Sequence, residues 1–325
     1  MFPTLQHPER HVWDFWYWFD PALSQFHVFY LNADKPLFAL GQHHDAARLG
    51  YAVTPDFQSI DWGDESQWEV LTAHADDWDN TAIWSGDILR IQTGYLLFYT
   101  SRDRHQDNGT IQNIGMAYAT TPRGPWHRTL LRLQPGGGYV RQHVAGDRAP
   151  HAWRDPFLFL DEGQIYMVIS AKSSAAPLGK NGTVGLLQLR NNDFSAGVWD
   201  ILDAIASPQW YAEMEVPQLY RDAQGRYHLV FSTWAKNDFA PTTQQCGGLH
   251  AMTSSVWRTF DQPPSVLLPE ASGLYACRII PELDGEIVGF DLHTGGIRRS
   301  GIKTQFQGMD RDFSRFAFLG SRLRT

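Results

Sequence analysis

The 325-residue sequence has only two cysteines, Cys246 and Cys277, and no long hydrophobic run. Two cysteines without CxxC spacing argue against a disulfide framework and against a structural zinc site, so we expect two reduced thiols. No stretch is long and apolar enough to cross a bilayer, and the N-terminus lacks the basic and then apolar pattern of a signal peptide. We therefore expect a cytoplasmic protein that has no contact with a membrane.

The sequence also lacks clusters of positive charge and helical periodicity. The formal net charge is -8, and no Lys/Arg run offers a phosphate-binding stripe, which argues against a nucleic-acid partner. Aromatic residues, in contrast, make up 14% of the chain and include 13 tryptophans. Such residues favour half-buried pleated sheets, and they also serve as platforms on which sugars stack.

A strand pattern recurs five times along the chain, at intervals of roughly 60 to 70 residues. A second short strand follows most copies, and a tryptophan (Trp68, Trp126, Trp199 or Trp257) comes after it, where a fourth, outer strand is expected. Radial packing of such sheets predicts an all-β, five-bladed β-propeller that forms a single domain over residues 1–325. The five copies are SQFHVFYL around Phe26, TGYLLFYT around Tyr95, GQIYMVIS around Tyr166, GRYHLVFST around Tyr227 and GEIVGFDL around Ile287.

Three acidic residues, Asp14, Asp155 and Glu215, lie at corresponding places near the starts of separate repeats, each among apolar or aromatic neighbours. The inner strands of a propeller line its central channel, so we expect the three carboxylates to converge where that channel opens. Taken singly, Asp155 before a proline is typical of a turn, and Glu215 is typical of a solvated strand end. Three acids in register with a fivefold repeat are better explained by a shared site.

Such a set of acids has a use in the cleavage of glycosides. One carboxylic acid protonates the leaving oxygen and a carboxylate acts on the opposite side of the sugar, while a third stabilises the cationic ring or holds its hydroxyl groups. The two main carboxyl groups lie about 5 Å apart in enzymes that retain the anomeric configuration and farther apart in enzymes that invert it. The sequence alone leaves both outcomes open.

Five motifs, in family order along the chain, resemble those of fructosyl-transferring enzymes, the levansucrases of glycoside hydrolase family 68 and the invertases of family 32. The resemblance implies a retaining β-fructofuranosidase that acts on sucrose or small fructosides, with transfer of the fructosyl group as a second activity. The motifs are VWDFW (12–16), similar to the nucleophile motif; WSGD (84–87), similar to WSGS; WRDP (153–156), matching RDP; EMEVP (213–217), similar to ExERP; and LYA (274–276), similar to a late aromatic strand that faces the substrate.

The resemblance also implies a role for each matching residue. Asp14 would be the nucleophile that forms a fructosyl ester, Glu215 the acid that then acts as a base, and Asp155 the residue that stabilises the transition state. No cofactor or metal ion is implied, a small saccharide is the only expected partner, and the oligomeric state is not predicted. The expected substrate-binding residues are Trp13, Trp84 and Ser85 in the fructosyl pocket, Arg154 beside Asp155, Glu213 near the leaving or acceptor sugar, and Tyr275 on the late strand.

Two substitutions and the chain length separate this sequence from the family pattern. Val216 replaces the arginine of ERP and Asp87 replaces the second serine of WSGS, which changes the expected contacts to a second sugar. The chain also has no room for the extra β-sandwich of invertases or for the long loops of polymer-forming levansucrases. We therefore expect an enzyme for small substrates rather than a polymerase.

Two other functions stay open at this point. Inverting arabinofuranosidases and xylosidases of glycoside hydrolase family 43 also have a DP followed by an apolar strand, and WRDPFLFLDEGQIYM matches them in part. A propeller that binds sugar without cleaving it is the alternative of another class, although it has little use for an acid at each catalytic position. Two polar stretches, His43–Asp45 and Asp76–Asp79, could bind a metal ion, but such loops are more often solvated, and we predict no metal site.

Overall fold

The computed structural model describes residues 2–242 and 245–324, and within these ranges the chain forms nineteen β-strands in five antiparallel sheets. The sheets are the blades of a five-bladed propeller, as the repeat predicts. In chain order the blades contain β1 (Arg10–Asp20), β2 (Gln25–Asp34) and β3 (Arg48–Thr54); β4 (Ile83–Ile91), β5 (Gly94–Arg102), β6 (Gln112–Ala119) and β7 (His127–Leu133); β8 (Trp153–Asp161), β9 (Gln164–Lys172), β10 (Gly182–Leu189) and β11 (Trp199–Ala206); β12 (Glu215–Asp222), β13 (Tyr227–Thr233), β14 (Gly248–Ser254) and β15 (Ser265–Leu268); and β16 (Leu274–Ile280), β17 (Glu286–Asp291) and β18 (Ile297–Lys303).

Each copy of the repeated strand pattern forms the second strand of a blade, namely β2, β5, β9, β13 and β17. These strands are almost entirely buried. The core is divided among the interfaces between neighbouring blades, so both faces of a blade are covered and its strands read as continuous apolar runs. Phe29 and Leu97, for example, belong to the cluster between the first two blades.

The prediction of an outer strand at each of four tryptophans is only partly right. Trp199 begins β11 and Trp126 immediately precedes β7, but Trp68 ends the short helix Glu65–Trp68 and Trp257 lies in a turn before β15. The first and last blades have three strands among the described residues. A large indole ring reaches the space between blades from a helix end or a turn as well as from a strand, so burial of tryptophan does not specify the backbone that carries it.

The N-terminal segment packs on the last blade and closes the ring, and the C-terminal tail runs across other blades. Leu5 pairs with Ile297 of the last blade through two backbone hydrogen bonds of 2.8 and 3.1 Å. After the last blade, β19 (Phe306–Gly308) pairs with β12. The tail then crosses the far ends of the second and third blades, where the carbonyl of Phe316 accepts a hydrogen bond of 2.7 Å from the Gln92 amide. In the part of the chain that is described, no helix has the length and apolar character needed to cross a membrane.

Candidate active site

A break in strand register lies near the start of every inner strand. A β-bulge of this kind places extra residues on one strand and re-aims their side chains. The predicted catalytic residues lie at or within the bulges, which turn them toward the central channel. The breaks fall between Val12 and Phe15 in β1, Trp84 and Gly86 in β4, Arg154 and Phe157 in β8, Glu215 and Gln218 in β12, and Tyr275 and Arg278 in β16.

The three acids occupy different positions within equivalent bulges. The last regular pair before the bulge involves Val12 in β1, Arg154 in β8 and Glu215 in β12. Counted along the strand from that pair, Glu215 is the paired residue itself, Asp155 is one residue beyond it and Asp14 is two residues beyond it. The acids do lie at the same end of their blades, as predicted. Their positions within the bulge are not equivalent, however, and differ by one residue from each acid to the next.

Left-handed backbone conformations occur at one equivalent bulge position in the last three blades. The φ angles are 59° at Asp155, 48° at Val216 and 44° at Ala276, a region that residues other than glycine rarely adopt. Hydrogen bonds between blades hold two of these residues. The Asp155 amide donates to Thr100 Oγ1 at 3.1 Å, and the Val216 amide donates to Asp155 Oδ2 at 3.0 Å. The surrounding structure thus maintains a conformation that is costly by itself.

Arg154 connects three carboxylates at the centre of the site. Its Nη2 atom donates to Glu215 Oε1 at 3.0 Å and to Glu213 Oε2 at 3.1 Å, and its Nε lies 3.5 Å from Asp155 Oδ2. The buried side chain of Gln112 also holds the guanidinium, because its Oε1 accepts a hydrogen bond of 3.2 Å from Nη1. The predicted convergence of Asp155 and Glu215 is therefore observed, with Arg154 as the bridge.

Asp14 joins this group from the first blade. Its Oδ2 accepts a hydrogen bond of 2.5 Å from the hydroxyl of Ser85, and the Ser85 carbonyl in turn accepts one of 2.9 Å from the hydroxyl of Thr100. The negative charges of Asp155 and Glu215 both act on Asp14. Three acids from three blades thus meet at one end of the channel.

Glu215 has a fixed orientation because both of its carboxylate oxygens have partners. Arg154 binds Oε1, and the buried Tyr275 donates its hydroxyl to Oε2. The indole of Trp234 stacks on the Tyr275 ring with the ring centroids 4.1 Å apart and an interplanar angle of 18°. Glu213, two residues before Glu215, is also bound on both oxygens, by Arg154 and by Asn237 Nδ2 at 2.5 Å.

Two of the acids, Asp14 and Asp155, have pKa values displaced toward neutrality. Burial raises the pKa of Asp14 to about 7, and the charges of Asp155 and Glu215 add to this against the hydrogen bond from Ser85. Burial also raises the pKa of Asp155 to about 6 despite the nearby Arg154. Burial alone would lower the pKa of Arg154, but the three surrounding carboxylates raise it above its ordinary value, so the guanidinium stays charged.

Aromatic and imidazole rings form the wall beside Asp14. His43 lies edge-on to Trp13 at a centroid distance of 5.1 Å, and His44 lies 6.1 Å from Trp84. The Trp84 Nε1 donates to the carbonyl of His44 at 2.8 Å. Burial lowers the pKa of His44 to about 4, so this ring is neutral at pH 7. The first polar stretch considered as a metal ligand set thus packs against Trp13 and Trp84.

The second polar stretch contributes two of its three acids, together with His74, to a compact group. Within the described ranges, ligand atoms of His74, Asp77 and Asp79 lie within 4.8 Å of one another. Arg128 Nε donates to Asp79 at 2.6 Å, and Arg324 forms an ion pair with Asp77. Each of the two carboxylates already has an arginine as its counter-ion.

Asp87, which departs from the family's WSGS element, is buried and has a structural set of partners. The Leu158 amide donates to its Oδ2 at 2.8 Å, and Arg311 of the C-terminal tail donates to its Oδ1 at 2.6 Å. Asp87 therefore links the second blade to the third blade and to the tail. Both carboxylate oxygens of Asp87 are bound by protein groups, so Asp87 does not account for the expected change in contacts to a second sugar.

Several residues of the site are absent from the predicted set. Gln112, Asn237, Thr100 and Trp234 belong to none of the five family motifs, and each has its partner in another part of the sequence. One of them could have been found: Trp234 directly follows the repeat copy GRYHLVFST. The repeat copy forms β13, which runs antiparallel to the inner strand β12 and ends at the channel mouth. The residue that follows the copy therefore lies beside the bulge that contains Glu215.

Comparisons with known proteins agree with this geometry. Residues 22–253 match the model described as "Glycosyl hydrolases family 32 N-terminal domain". Similar solved structures include an inulosucrase from Halalkalicoccus jeotgali bound to kestose (19% identity, TM-score 0.69, 100% of this chain and 94% of that one), the Microbacterium saccharophilum K-1 beta-fructofuranosidase catalytic domain (18%, 0.66, 98% and 87%) and an endo-arabinase from Bacteroides thetaiotaomicron VPI-5482 (14%, 0.61, 96% and 99%). At these identities the likeness shows a common fold. No curated protein matches the sequence.

The family match spans most of the chain and includes the segments that carry Trp84, Asp155 and Glu215, while Asp14 and Tyr275 lie outside it. The resemblance predicted from the motifs is confirmed at the level of the family. The chain belongs to the glycosyl hydrolase family 32 N-terminal domain family, and the protein is a glycoside hydrolase.

Proposed function

We propose that the protein cleaves small β-fructofuranosides such as sucrose by double displacement, with water or a second sugar as the final acceptor. The observation that carries the proposal is the group of Asp155, Glu213 and Glu215 around Arg154, with Asp14 beside it. Family membership and the kestose-bound inulosucrase among similar structures support a fructosyl substrate.

In the first step, Asp14 attacks the anomeric carbon. A carboxylate oxygen of Asp14 forms a bond to that carbon while the bond to the leaving oxygen breaks, and protonated Glu215 transfers its proton to the leaving oxygen. The Ser85 hydroxyl orients Asp14 through its Oδ2. Asp155 supplies negative charge next to the cationic sugar that develops between the two bonds, and it accepts hydrogen bonds from the sugar hydroxyls.

In the second step, the fructosyl ester is broken. Water or a sugar hydroxyl attacks the anomeric carbon, the Glu215 carboxylate takes the proton of the attacking oxygen, and the bond to Asp14 breaks. Two displacements return the original configuration. Arg154 and Tyr275 hold Glu215 through both steps, so the same carboxyl group gives and then takes the proton without moving away.

The test is the anomeric form of the fructose released from sucrose, followed by NMR during the first turnovers. Double displacement gives β-fructofuranose as the first product. Asp14→Ala is expected to lose activity by several orders of magnitude, whereas Asp20→Ala, which alters the other acid of the opening stretch, keeps activity near that of the wild type. Inversion at the anomeric carbon, or an active Asp14→Ala, would refute the mechanism.

The same assay separates the alternative functions. Cleavage of an aryl α-arabinofuranoside with inversion, and no cleavage of sucrose, would favour a family 43-like enzyme. The endo-arabinase among the similar structures has the same fold and is the reason to test this substrate. Binding of fructosides without turnover of any fructoside or pentoside would favour the non-catalytic propeller.

A further inference from the structure

The channel mouth next to Glu215 has an apolar lining, of which the chemistry above uses only the Tyr275 hydroxyl. This lining includes the residue that follows Glu215, which is valine where the related motif has arginine. Half-buried side chains extend the lining toward solvent. The buried members are Val216, Tyr275 and Ala276, and the half-buried ones are Trp234, Phe290 and Leu292.

Strand topology carries Trp234 to the channel mouth. Glu215 at the start of β12 pairs with Ser232 near the end of β13, so the antiparallel chain leaves the sheet beside the acid. Trp234 follows two residues later, at the beginning of the 3₁₀ turn Ala235–Asn237. The turn is anchored, because the Ala235 amide donates to Glu270 Oε2 at 2.7 Å and Asn237 binds Glu213.

The indole of Trp234 is separated from the acid by one ring. It stacks on Tyr275, and the Tyr275 hydroxyl binds Glu215. Phe290 contacts Tyr275 edge-on, with the ring centroids 6.1 Å apart. Glu215 protonates the leaving oxygen in the proposed reaction, so the leaving group must lie on this side of the sugar, next to a half-buried aromatic surface.

We propose that Trp234 forms a stacking wall for the leaving group, and that the enzyme prefers fructosides whose leaving group is a ring with an apolar face over those with a small alkyl group. This rests on the proposed function, because it names the leaving-group class of the same site. An aryl ring or a pyranose can bury one face against an indole, whereas a methyl group has no face to offer. A contact of this kind corresponds to about a tenfold change in kcat/KM.

The experiment compares sucrose and phenyl β-fructofuranoside with methyl β-fructofuranoside. In Trp234→Ala, kcat/KM is expected to fall about tenfold for the two substrates with a ring and less than about twofold for the methyl fructoside. Trp234→Phe restores most of the preference, whereas Trp234→Leu, which keeps an apolar side chain without an aromatic face, does not. Trp18→Ala is the matched control, since Trp18 is half-buried and lies near the opposite end of β1.

A purely structural role for Trp234 predicts the opposite selectivity. If the indole only held Tyr275 and Glu215 in position, its loss would impair protonation, and the methyl fructoside would suffer most because methoxide is the poorest leaving group. A loss that is equal for all substrates, or largest for the methyl fructoside, overturns the inference and leaves the proposed function intact. Absence of fructoside turnover by the wild type overturns both. If Trp234→Ala does not fold, the comparison of Trp234→Leu with Trp234→Phe gives the same decision.

Discussion

Asp14→Asn is expected to stabilise the folded protein at pH 8 while it abolishes turnover. Burial, together with the charges of Asp155 and Glu215, raises the pKa of Asp14 from 3.8 to about 7. In the unfolded chain this carboxyl group titrates at its ordinary value. Between about pH 4 and pH 7 the folded state therefore binds more protons than the unfolded state, and the free energy of unfolding falls as the pH rises through this range.

The size of the effect follows from the pKa displacement. A rise from 3.8 to about 7, at about 1.4 kcal/mol per pH unit, means that ionising Asp14 costs the folded protein about 4 kcal/mol. Asparagine keeps the shape and an oxygen that accepts the hydrogen bond from Ser85, but it carries no charge. The advantage of the variant is thus near zero below about pH 4 and approaches about 4 kcal/mol above pH 7.

Urea unfolding at pH 4, 6 and 8, followed by tryptophan fluorescence, measures this advantage. Asp76→Asn is the control, because it also replaces one carboxylate by an amide, but at an exposed position. A stability difference for Asp14→Asn that is the same at pH 4 and pH 8 would refute the reasoning. So would a variant that is less stable than the wild type at pH 8, because Asp14 would then be stabilised rather than destabilised by its surroundings.

Three further predictions concern catalysis and the scaffold. In the proposed mechanism Asp14 must be ionised to attack, so kcat/KM should fall about tenfold per pH unit below about pH 7, and a pH profile that stays flat to pH 5 would contradict this. Lys172→Met should lower the free energy of unfolding, measured by urea denaturation, by about 3–5 kcal/mol, because Lys172 Nζ and Asp147 Oδ2 form a buried ion pair of 2.8 Å. The double variant Lys172→Met with Asp147→Leu should recover most of this loss, because it leaves no unpaired buried charge. Gly86→Ala should cost about 1–3 kcal/mol and most of the activity, because a Cβ there would lie 1.9 Å from a carbonyl oxygen of the neighbouring strand, while Gly138→Ala, with open space, should match the wild type in both measurements.

The fold could be predicted because the repeated strands are buried on both faces, which leaves a five-copy apolar pattern in the sequence. The outer parts of the blades could not be predicted, because a tryptophan there packs equally well from a strand, a helix end or a turn. Trp126 just before a strand and Trp257 in a turn are both buried. The expected cytoplasmic location, and the absence of membrane and nucleic-acid partners, stay predictions.

The candidate site was predictable where a residue lies in a motif. Asp14, Ser85, Arg154 and Tyr275 were identified by local sequence, and each contacts an acid of the site or is one. The supporting residues were not predictable in this way. Gln112, for example, reaches Arg154 from another blade, and a contact between blades leaves no periodic signal in either segment. The one-residue differences between the positions of the acids in their bulges could not be predicted either. A bulge changes the direction of a side chain, but it leaves no pattern in the sequence around that residue.

The order of the blades predicts that the proposed reaction depends on closure of the ring. Asp14, the proposed nucleophile, comes from the first blade, and Glu215, the proposed acid, comes from the fourth. The fifth blade, which carries Tyr275, lies between them in the ring, so their relative position depends on the packing of the last blade against the first. A buried hydrogen bond of 3.0 Å, from Arg278 Nε in β16 to the carbonyl of Phe15 directly after Asp14, crosses this junction. Loosening the junction would therefore change the distance between nucleophile and acid before it unfolds any blade, and loss of activity should precede loss of the folded state.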